Sequence, residues 1–470
     1  MKKESILIIV IIILAVISRL SFLDLRVLHH DEGVNYFFSQ KIIAGEGYRY
    51  DSTNYHGPLY FFLIALSFLF FGISEFSLRL PAALFGIALV LIPFLWKRNA
   101  IRNEFNKYVA SFLLLISPSL LYYSRYSIHE IAFVLFSLIA VYSFTLILEN
   151  SNLKYLPLFA VSLALLFTIK ETAIIMLFIL FVMILINFKR IKRIDFKEDY
   201  HLISFSILLF AVVYVLLFTS FFTNPYGIVD SVRGFLPWTG RGIEGAGHDK
   251  PFYYYVLILL RYEWPIFILS LFGAYHSYKL RSNVFLLNLS MLFVLSLVIY
   301  SLIPYKTPWL IINITAPMCL LAAIGLKNIK IDELKKNFKI LFFVLILAGL
   351  VYLAYFSVNL NFVKPWQQEN KFAYVHTDKD ILNMVEKINE QEDKSAIFIV
   401  SDEYWPLPFY LDSKNVSYST DYSIIEDDFK VYNIFIVRDK YFNATEFPSE
   451  YEFETYKLRE GINLFLVYHN

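Results

Sequence analysis

The stretch LYFFLIALSFLFFGI, residues 59–73, decides how the chain can be arranged in a membrane. It carries no charge, but it is shorter than the ~20 apolar residues that a helix needs to span a bilayer. If it crossed the membrane, one of the first two basic clusters, Lys2–Lys3 or WKRNAIRNEFNK (96–107), would lie outside. Because basic residues accumulate on the cytoplasmic side, we interpret 59–73 as an interfacial or re-entrant helix.

The composition is that of a membrane protein. Of the 470 residues, 58% are hydrophobic and 17% are charged, with a mean hydropathy of +0.56, which excludes an ordinary soluble domain. The net charge of +2 gives no sign of a nucleic-acid partner. The single cysteine, Cys319, excludes an internal disulfide framework and a multi-cysteine metal site.

We predict roughly 11 transmembrane helices, all within residues 1–357, and a retained first helix, because the N-terminal apolar run lacks a small-x-small cleavage site. The predicted spans are 5–22, 79–96, 108–123, 131–148, 155–169, 172–187, 202–221, 256–275, 284–303, 309–326 and 339–357. Every basic cluster then faces the cytoplasm, as does the N-terminus. The fold class is a polytopic all-α membrane protein of the cytoplasmic membrane.

The opposite, outer side receives most of the polar segments. They are a first outer loop (23–78), SRYSIHE (124–130), IKET (169–172), an outer loop (222–255), PYKTPW (304–309) and residues 358–470. In the last of these, ILNMVEKINE has the spacing of an amphipathic helix, while SAIFIVS, YNIFIVRD and INLFLVYHN are typical of strands. We therefore predict a small extracytoplasmic α/β domain over residues 358–470.

Acidic residues follow the first apolar helix in HHDEG (29–33), and another acid ends SRYSIHE. Charged groups at a helix end can simply face water. Their recurrence on one predicted membrane face favours a functional site, with Asp31, Glu32 and Glu130 as candidate catalytic acids or bases.

A metal site would need histidine and carboxylate ligands. His56 in NYHGPLYFF and His248 in GHDKPFYYY, together with Asp31, offer the nitrogen and oxygen atoms that a divalent ion such as zinc, manganese or magnesium accepts. Because these residues are far apart in sequence, spacing does not establish a site; only the shared membrane face supports it.

Basic side chains on the same face suit an anionic head group. The candidates for binding substrate and its phosphate are Lys170, Arg125, Arg241, Lys250, Lys306 and Tyr305. For Lys170 the alternative is a pair with Glu171 in water. Arg261 and Glu263 fall within a predicted span, where ionisable residues usually face a cavity or each other.

The motifs resemble those of GT-C superfamily membrane glycosyltransferases. The match lies in HHDEGVNYFFSQKIIAGEGY, in HGPLYFF with the following SEFSLRLPA, and in SPSLLYYSRYSIHE. That order is similar to the protein O-mannosyltransferases and the lipid A aminoarabinose transferases. Together with KETA, YEWP and PYKTPW, the chain also resembles a narrower prokaryotic family of flippase-activity-associated proteins of archaeal protein glycosylation.

The resemblance implies a GT-C-like fold and roles for individual residues. Asp31 matches an aspartate that activates the acceptor or binds metal, Glu130 a second acidic residue, Lys170 a basic residue near the donor phosphate, and His248 a metal-binding histidine. The aminoarabinose transferases carry glutamate and lysine where this chain has His56 and Gly57.

The function expected from this resemblance is inverting transfer of a sugar from a polyprenyl-phosphate donor to a protein, lipid or glycan acceptor on the outer face. Membrane lipids and the polyprenyl-phosphate sugar would be the partners. Two other functions stay open: an accessory or transporter that binds the lipid-linked sugar without transfer, and a structural subunit of an envelope assembly.

Overall fold

The structure is a computed structural model that describes residues 3–50, 52, 56–96, 104–236, 240, 247–367, 369–391, 396–419 and 421–469. The chain divides into two compact units. The helical unit comprises Met1–Leu23 and Lys41–Lys364, and the C-terminal unit comprises Asp24–Gln40 and Pro365–Asn470. The sequence placed residues 24–40 in a loop of the transmembrane domain, 1–357. They group instead with the C-terminal residues, because rings such as Tyr36 pack on Phe409 at 5.1 Å.

Helices account for most of the described chain. They are α1 Lys3–Leu20, α2 His30–Ile43, α3 Leu59–Phe71, α4 Glu75–Leu95, α5 Glu104–Ile116, α6 Pro118–Tyr123, α7 Glu130–Asn150, α8 Leu156–Ile169, α9 Ala173–Ile186, α10 Phe188–Ile191, α11 Tyr200–Phe218, α12 Gly227–Arg233, α13 Tyr254–Tyr262, α14 Trp264–Lys279, α15 Val284–Leu302, α16 Ile312–Asn328, α17 Lys336–Val358, α18 Asp380–Asn389 and α19 Leu407–Tyr410.

Six of the described helices are long and apolar enough to cross a membrane. They are Glu75–Leu95, Glu130–Asn150, Tyr200–Phe218, Val284–Leu302, Pro308–Asn328 and Lys336–Val363. A bent pair, α13 with α14, makes a seventh if it counts as one span, and shorter apolar helices include α3, α8 and α9. The polytopic helical class is confirmed, while the total of 11 spans stays a prediction.

Helix α3 occupies the stretch on which the predicted topology depends. It is a 13-residue helix, about 20 Å long at 1.5 Å per residue. The hydrocarbon core of a bilayer is about 30 Å thick. Gly72, at φ 73°, ends the helix before a capping box formed by Ser74 and Ser77 starts α4. The length therefore agrees with an interfacial or re-entrant helix.

Two predicted continuous spans are broken in the structure. The span 108–123 breaks at Ser117, because Pro118 cannot donate an amide hydrogen bond and the Ser117 hydroxyl accepts from the amide of Leu120. The span 256–275 breaks at Glu263, where α13 and α14 meet at a 111° bend and Pro265 lies in the first turn of α14. The sequence patterns showed the apolar lengths but not these interruptions.

The two breaks are bonded to each other. One oxygen of the fully buried Glu263 carboxylate accepts hydrogen bonds from Ser117 Oγ at 2.7 Å, from Ser119 Oγ at 2.7 Å and from the Ser119 amide at 2.9 Å. Three donors compensate much of the cost of burying a carboxylate. Glu263 thus stabilises the junction of two broken helices and does not pair with Arg261, which is exposed.

Glu263→Ala is expected to lower the free energy of unfolding by about 3 kcal/mol, because it leaves buried donors without an acceptor. Glu263→Gln keeps one acceptor oxygen and should lose less. Thermal unfolding of the purified chain in one detergent measures both variants. An Ala variant that unfolds at the wild-type temperature would contradict this role.

Close backbone contact between α14 and α16 depends on glycine. A Cβ atom at Gly273 would lie 2.0 Å from the carbonyl oxygen of Leu321, and one at Gly325 would lie 2.0 Å from that of Leu269. Small residues permit such approaches between membrane helices, where packing replaces the hydrophobic effect as the main attraction. These glycines fix the position of α14 and hence of the bend at Glu263.

The C-terminal unit contains a five-stranded sheet in the order β2-β1-β3-β5-β4. The strands are β1 Ala396–Val400, β2 Asn415–Tyr418, β3 Ile434–Arg438, β4 Tyr451–Arg459 and β5 Ile462–His469. Strand β1 pairs in parallel with β2 and β3, while β5 is antiparallel to β3 and β4. The predicted helix is present as α18, whose apolar residues Ile381, Met384 and Ile388 are buried in the core.

Candidate functional site

Glu130 and Lys170 form a buried ion pair in the helical unit. Glu130 begins α7, and Lys170 follows the last residue of α8. The ammonium of Lys170 donates to Oε1 of Glu130, and the two side chains are 11% and 3% exposed. Burial by itself lowers the pKa of Lys170, but the nearby Glu130 carboxylate outweighs burial and raises it. The SRYSIHE and IKET turns therefore meet, with the lysine charged.

The end of the loop 222–255 contacts the PYKTPW turn. The Lys306 amide donates to the carbonyl of His248 at 3.1 Å, and the Lys250 amide donates to that of Pro304 at 3.4 Å. The rings of His248 and Tyr305 lie 4.8 Å apart. Tyr305 contributes, after Glu130, to the raised pKa of Lys170. The buried Lys306 ammonium donates to the carbonyl of Ile303.

His56 lies against the start of α7. Its ring stacks on that of His129, with centroids 4.3 Å apart and an angle of 28° between the planes. Burial, followed by the neighbouring His56 and Lys170, lowers the pKa of His129 well below its usual value, so its imidazole is neutral at pH 7. The structure thus brings His56 to the residue that precedes Glu130.

Gly57 makes this placement of His56 possible. Its amide donates to the carbonyl of Ile169 at 2.9 Å, and a Cβ atom would lie 2.2 Å from the carbonyl oxygen of Thr168. Any side chain here would therefore separate the HGP turn from the end of α8. Gly57 therefore has a packing role at this turn.

Gly57→Ala is expected to destabilise the helical unit by about 2 kcal/mol, a typical cost of overpacking. Gly240→Ala is the matched control, because a Cβ atom there meets nothing within 4 Å. Thermal unfolding of both variants measures the effect. Equal unfolding temperatures for the two variants would show that the close backbone approach at Gly57 does not affect the stability of the protein.

Tyr50 and Glu171 form a second buried contact, which the sequence did not indicate. The Tyr50 hydroxyl donates to Oε1 of Glu171 at 2.5 Å. Burial, and next the Glu171 carboxylate, raises the pKa of Tyr50, while burial raises that of Glu171. Lys170 and Glu171 are both buried and each has its own partner, so a mutual pair in water does not describe them.

Asp31 and Glu32 lie in the C-terminal unit, at the start of α2. Glu32 is fully buried, and its carboxylate accepts the His29 amide at 3.0 Å and lies 3.7 Å from Nη2 of Arg26. The His29 ring accepts the Asp31 amide on Nδ1 at 3.0 Å and contacts the carbonyl of Tyr374 with Nε2. Asp31 is half-buried. Glu32 therefore shapes the turn, and Asp31 is the more accessible carboxylate.

The remaining predicted phosphate ligands differ in their surroundings. The Arg125 guanidinium donates to the carbonyls of Ser18, Ser21 and Phe22 at 3.0, 2.6 and 2.7 Å, so it caps the C-terminal end of α1. Lys250 is half-buried, and Arg241 lies outside the described residues. A phosphate role for these three side chains stays a prediction.

The part of the chain that the structure describes contains no preformed cluster of side chains for a bound metal ion. No group of three or more His, Cys, Asp or Glu side chains there is arranged to hold one. His56 and His248 lie in the helical unit, and Asp31 lies in the C-terminal unit. The metal roles of these residues stay predictions.

A cleft in the helical unit opens near the ion pair. It has room for about one water molecule and is lined by α7, α9, α15 and α16. Its lining is mostly apolar, as at Phe133, Met176 and Leu292, with Tyr300 and Asn313 as polar members. Phe133 lies one helical turn after Glu130, and its amide donates to the carbonyl of His129 at 3.1 Å.

Known proteins match this fold and this segment. Residues 55–218, roughly a third of the chain, match the family model described as dolichyl-phosphate-mannose-protein mannosyltransferase. ArnT from Cupriavidus metallidurans bound to undecaprenyl phosphate is similar with a TM-score of 0.67 and 13% identity, over 98% of this chain and 97% of that chain. Its apo state gives a TM-score of 0.65 and 14% identity with the same coverage. No curated protein sequence matches significantly.

The matched segment contains His56, Glu130 and Lys170. The resemblance of the chain to the GT-C superfamily of membrane glycosyltransferases is therefore confirmed, and the structural likeness extends over nearly its whole length. The chain shares its fold with ArnT, and six of its described helices are long and apolar enough to cross a membrane. The narrower likeness to the flippase-activity-associated family stays a prediction.

Proposed function

We propose that this protein transfers a sugar from a polyprenyl-phosphate donor to a protein, lipid or glycan acceptor at the outer face of the cytoplasmic membrane. The N-terminus would lie in the cytoplasm and residues 358–470 outside. The family matched by residues 55–218 and the undecaprenyl phosphate named for ArnT support this donor class.

The observation that carries the proposal is the buried Glu130–Lys170 pair. An ammonium held charged at the end of a membrane helix is a suitable point charge for a phosphate. Burial makes removal of either partner costly, so Glu130 would hold the ammonium in place. A donor phosphate oxygen would accept a second hydrogen bond from Lys170, because an ammonium carries three donors.

The reaction proposed is a single displacement. The acceptor hydroxyl oxygen attacks the anomeric carbon, and the bond from that carbon to the phosphate oxygen breaks. The polyprenyl phosphate leaves with the bonding electrons, stabilised by Lys170. A base accepts the hydroxyl proton, which is the role that the family resemblance gives to Asp31. A single displacement inverts the anomeric configuration.

The proposal is tested with purified chain in proteoliposomes, a polyprenyl-phosphate sugar labelled in the sugar, and an envelope fraction from cells lacking this protein as acceptor pool. We expect labelled acceptor with wild-type protein and a large loss with Glu130→Gln. Movement of intact donor across the bilayer without labelled acceptor would instead support the accessory or transporter function. Full transfer by both Glu130→Gln and Asp31→Asn would end the catalytic proposal.

A further inference from the structure

The three parallel strands of the C-terminal unit end at one edge of the sheet. β1 lies between β2 and β3, so the connection from β1 to β2 runs toward one side and the connection from β2 to β3 returns past β1 to the other side. In sheets of this kind, ligands bind outside the carboxyl ends of the strands, at the point where the order reverses. The loops that follow β1, β2 and β3 therefore mark a place to look for a second site.

Charged side chains from two of these loops form a compact group. Asp402, after β1, accepts from Arg438 Nη1 at 2.5 Å and from Lys440 Nζ at 2.7 Å, both at the end of β3. Asp439 lies 3.8 Å from Arg438 Nε. Asp402 and Lys440 are exposed. Two acidic and two basic groups balance, so the group selects neither an anion nor a cation.

Aromatic rings surround this charged group. Lys440 Nζ lies 4.6 Å from the centroid of the Tyr441 ring, which stacks on Tyr422 at 4.8 Å with only 5° between the planes. Tyr404 follows Asp402 and contacts Tyr418 at 4.9 Å. Tyr418 and Tyr422 are 40% and 39% exposed, so part of each ring is open to solvent.

The backbone at Tyr422 is strained in a way that fixes its ring. Its φ is 58°, a left-handed conformation that a bulky residue adopts at a cost. Asp421 stabilises the turn by accepting from Ser419 Oγ at 3.0 Å and from the Ser423 amide at 3.4 Å. A strained conformation that presents an aromatic ring at the surface is more typical of a binding site than of a simple connection.

We propose that this edge of the sheet, comprising Asp402, Tyr404, Tyr418, Tyr422, Arg438, Lys440 and Tyr441, binds a neutral saccharide. The apolar face of a pyranose ring packs on aromatic rings, and its hydroxyl groups both donate and accept hydrogen bonds. Asp402 accepts and the Arg438 and Lys440 groups donate, which together match that dual character. The proposal goes beyond sugar transfer and does not depend on it.

The test uses the full chain in nanodiscs and saturation-transfer NMR with neutral trisaccharides of mannose, glucose and N-acetylglucosamine. Empty nanodiscs and inorganic phosphate serve as controls. We expect saturation transfer to the ring protons of at least one trisaccharide. Inorganic phosphate should not reduce that signal. Tyr422→Asn removes the ring but tolerates the left-handed backbone, and it should weaken binding about tenfold. Asp402→Asn tests the charged group in the same way.

Val431→Ala is the matched control, since Val431 is 61% exposed and precedes β3, at the other edge of the sheet. Binding that is lost in Tyr422→Asn and Asp402→Asn but kept in Val431→Ala supports the site. No saturation transfer with any of the three sugars would overturn the proposal, as would displacement by phosphate or unchanged binding in both site variants. Loss of sugar transfer with saccharide binding intact would count against the proposed reaction alone.

Discussion

Asp31→Asn is expected to lower the rate constant for sugar transfer by about 10²- to 10⁴-fold, the usual contribution of a positioned general base. Asparagine has nearly the same shape as aspartate but does not accept the acceptor proton at neutral pH. Donor affinity should change little, because Asp31 is assigned to the acceptor. Single-turnover transfer rates and binding of a labelled donor separate the two effects.

Glu32→Gln is the matched control for this prediction. Glu32 is buried and accepts the His29 amide through its carboxylate. Glutamine keeps an acceptor oxygen for that bond, so most of the transfer rate should remain. If Glu32→Gln abolished transfer and Asp31→Asn did not, the roles assigned to the two acids would be reversed.

Lys170→Met is expected to reduce transfer by about 10²-fold or more, because it removes the charge proposed to stabilise the departing phosphate. It should also weaken donor binding, which Asp31→Asn should not. Both quantities come from the same transfer and binding measurements. Unfolding is a second readout, since the variant leaves the Glu130 carboxylate buried without its ammonium partner.

The double variant Lys170→Met with Glu130→Gln distinguishes chemistry from stability. Removing both charges avoids an uncompensated buried charge. The unfolding temperature of the double variant should therefore be closer to that of wild type than the unfolding temperature of Lys170→Met is. Transfer should stay low, because the ammonium is still missing. Recovery of transfer together with stability would show that Lys170 acts only in holding the fold.

Much of the helical architecture could be predicted from apolar length alone. The predicted span 131–148 corresponds to α7, and 284–303 corresponds to α15. The breaks at Ser117 and Glu263 were missed although Pro118 and Pro265 lie beside them, because a proline can also kink a helix without ending it. The hydrogen bonds that join the two breaks link distant segments, which the sequence does not show. Strands β2 and β4 were also missed: β2 has only four residues, and β4 alternates charged with apolar residues on a half-exposed edge.

For the site, the expectation of a common membrane face named the turns that contain Glu130 and Lys170 but not the contact between these two residues. Glu130 and Lys170 lie at the ends of two apolar helices, and His248 lies near the end of a loop. Only the fold shows which of these residues contact one another. Tyr50 was missed because it lies 121 residues from Glu171 and belongs to no charged motif. Arg125 has the charge of a phosphate ligand, but its donors are directed to the carbonyls that end α1.

Sugar transfer is tested most directly by measuring polyprenyl phosphate released from a polyprenyl-phosphate sugar in proteoliposomes that contain the purified chain and an acceptor fraction. Mass spectrometry quantifies the released lipid, and the labelled sugar is counted in the acceptor. We predict equal amounts of the two products with wild-type protein and almost none with Asp31→Asn. Donor that crosses the bilayer intact, with no polyprenyl phosphate formed by the wild type, would contradict a transferase.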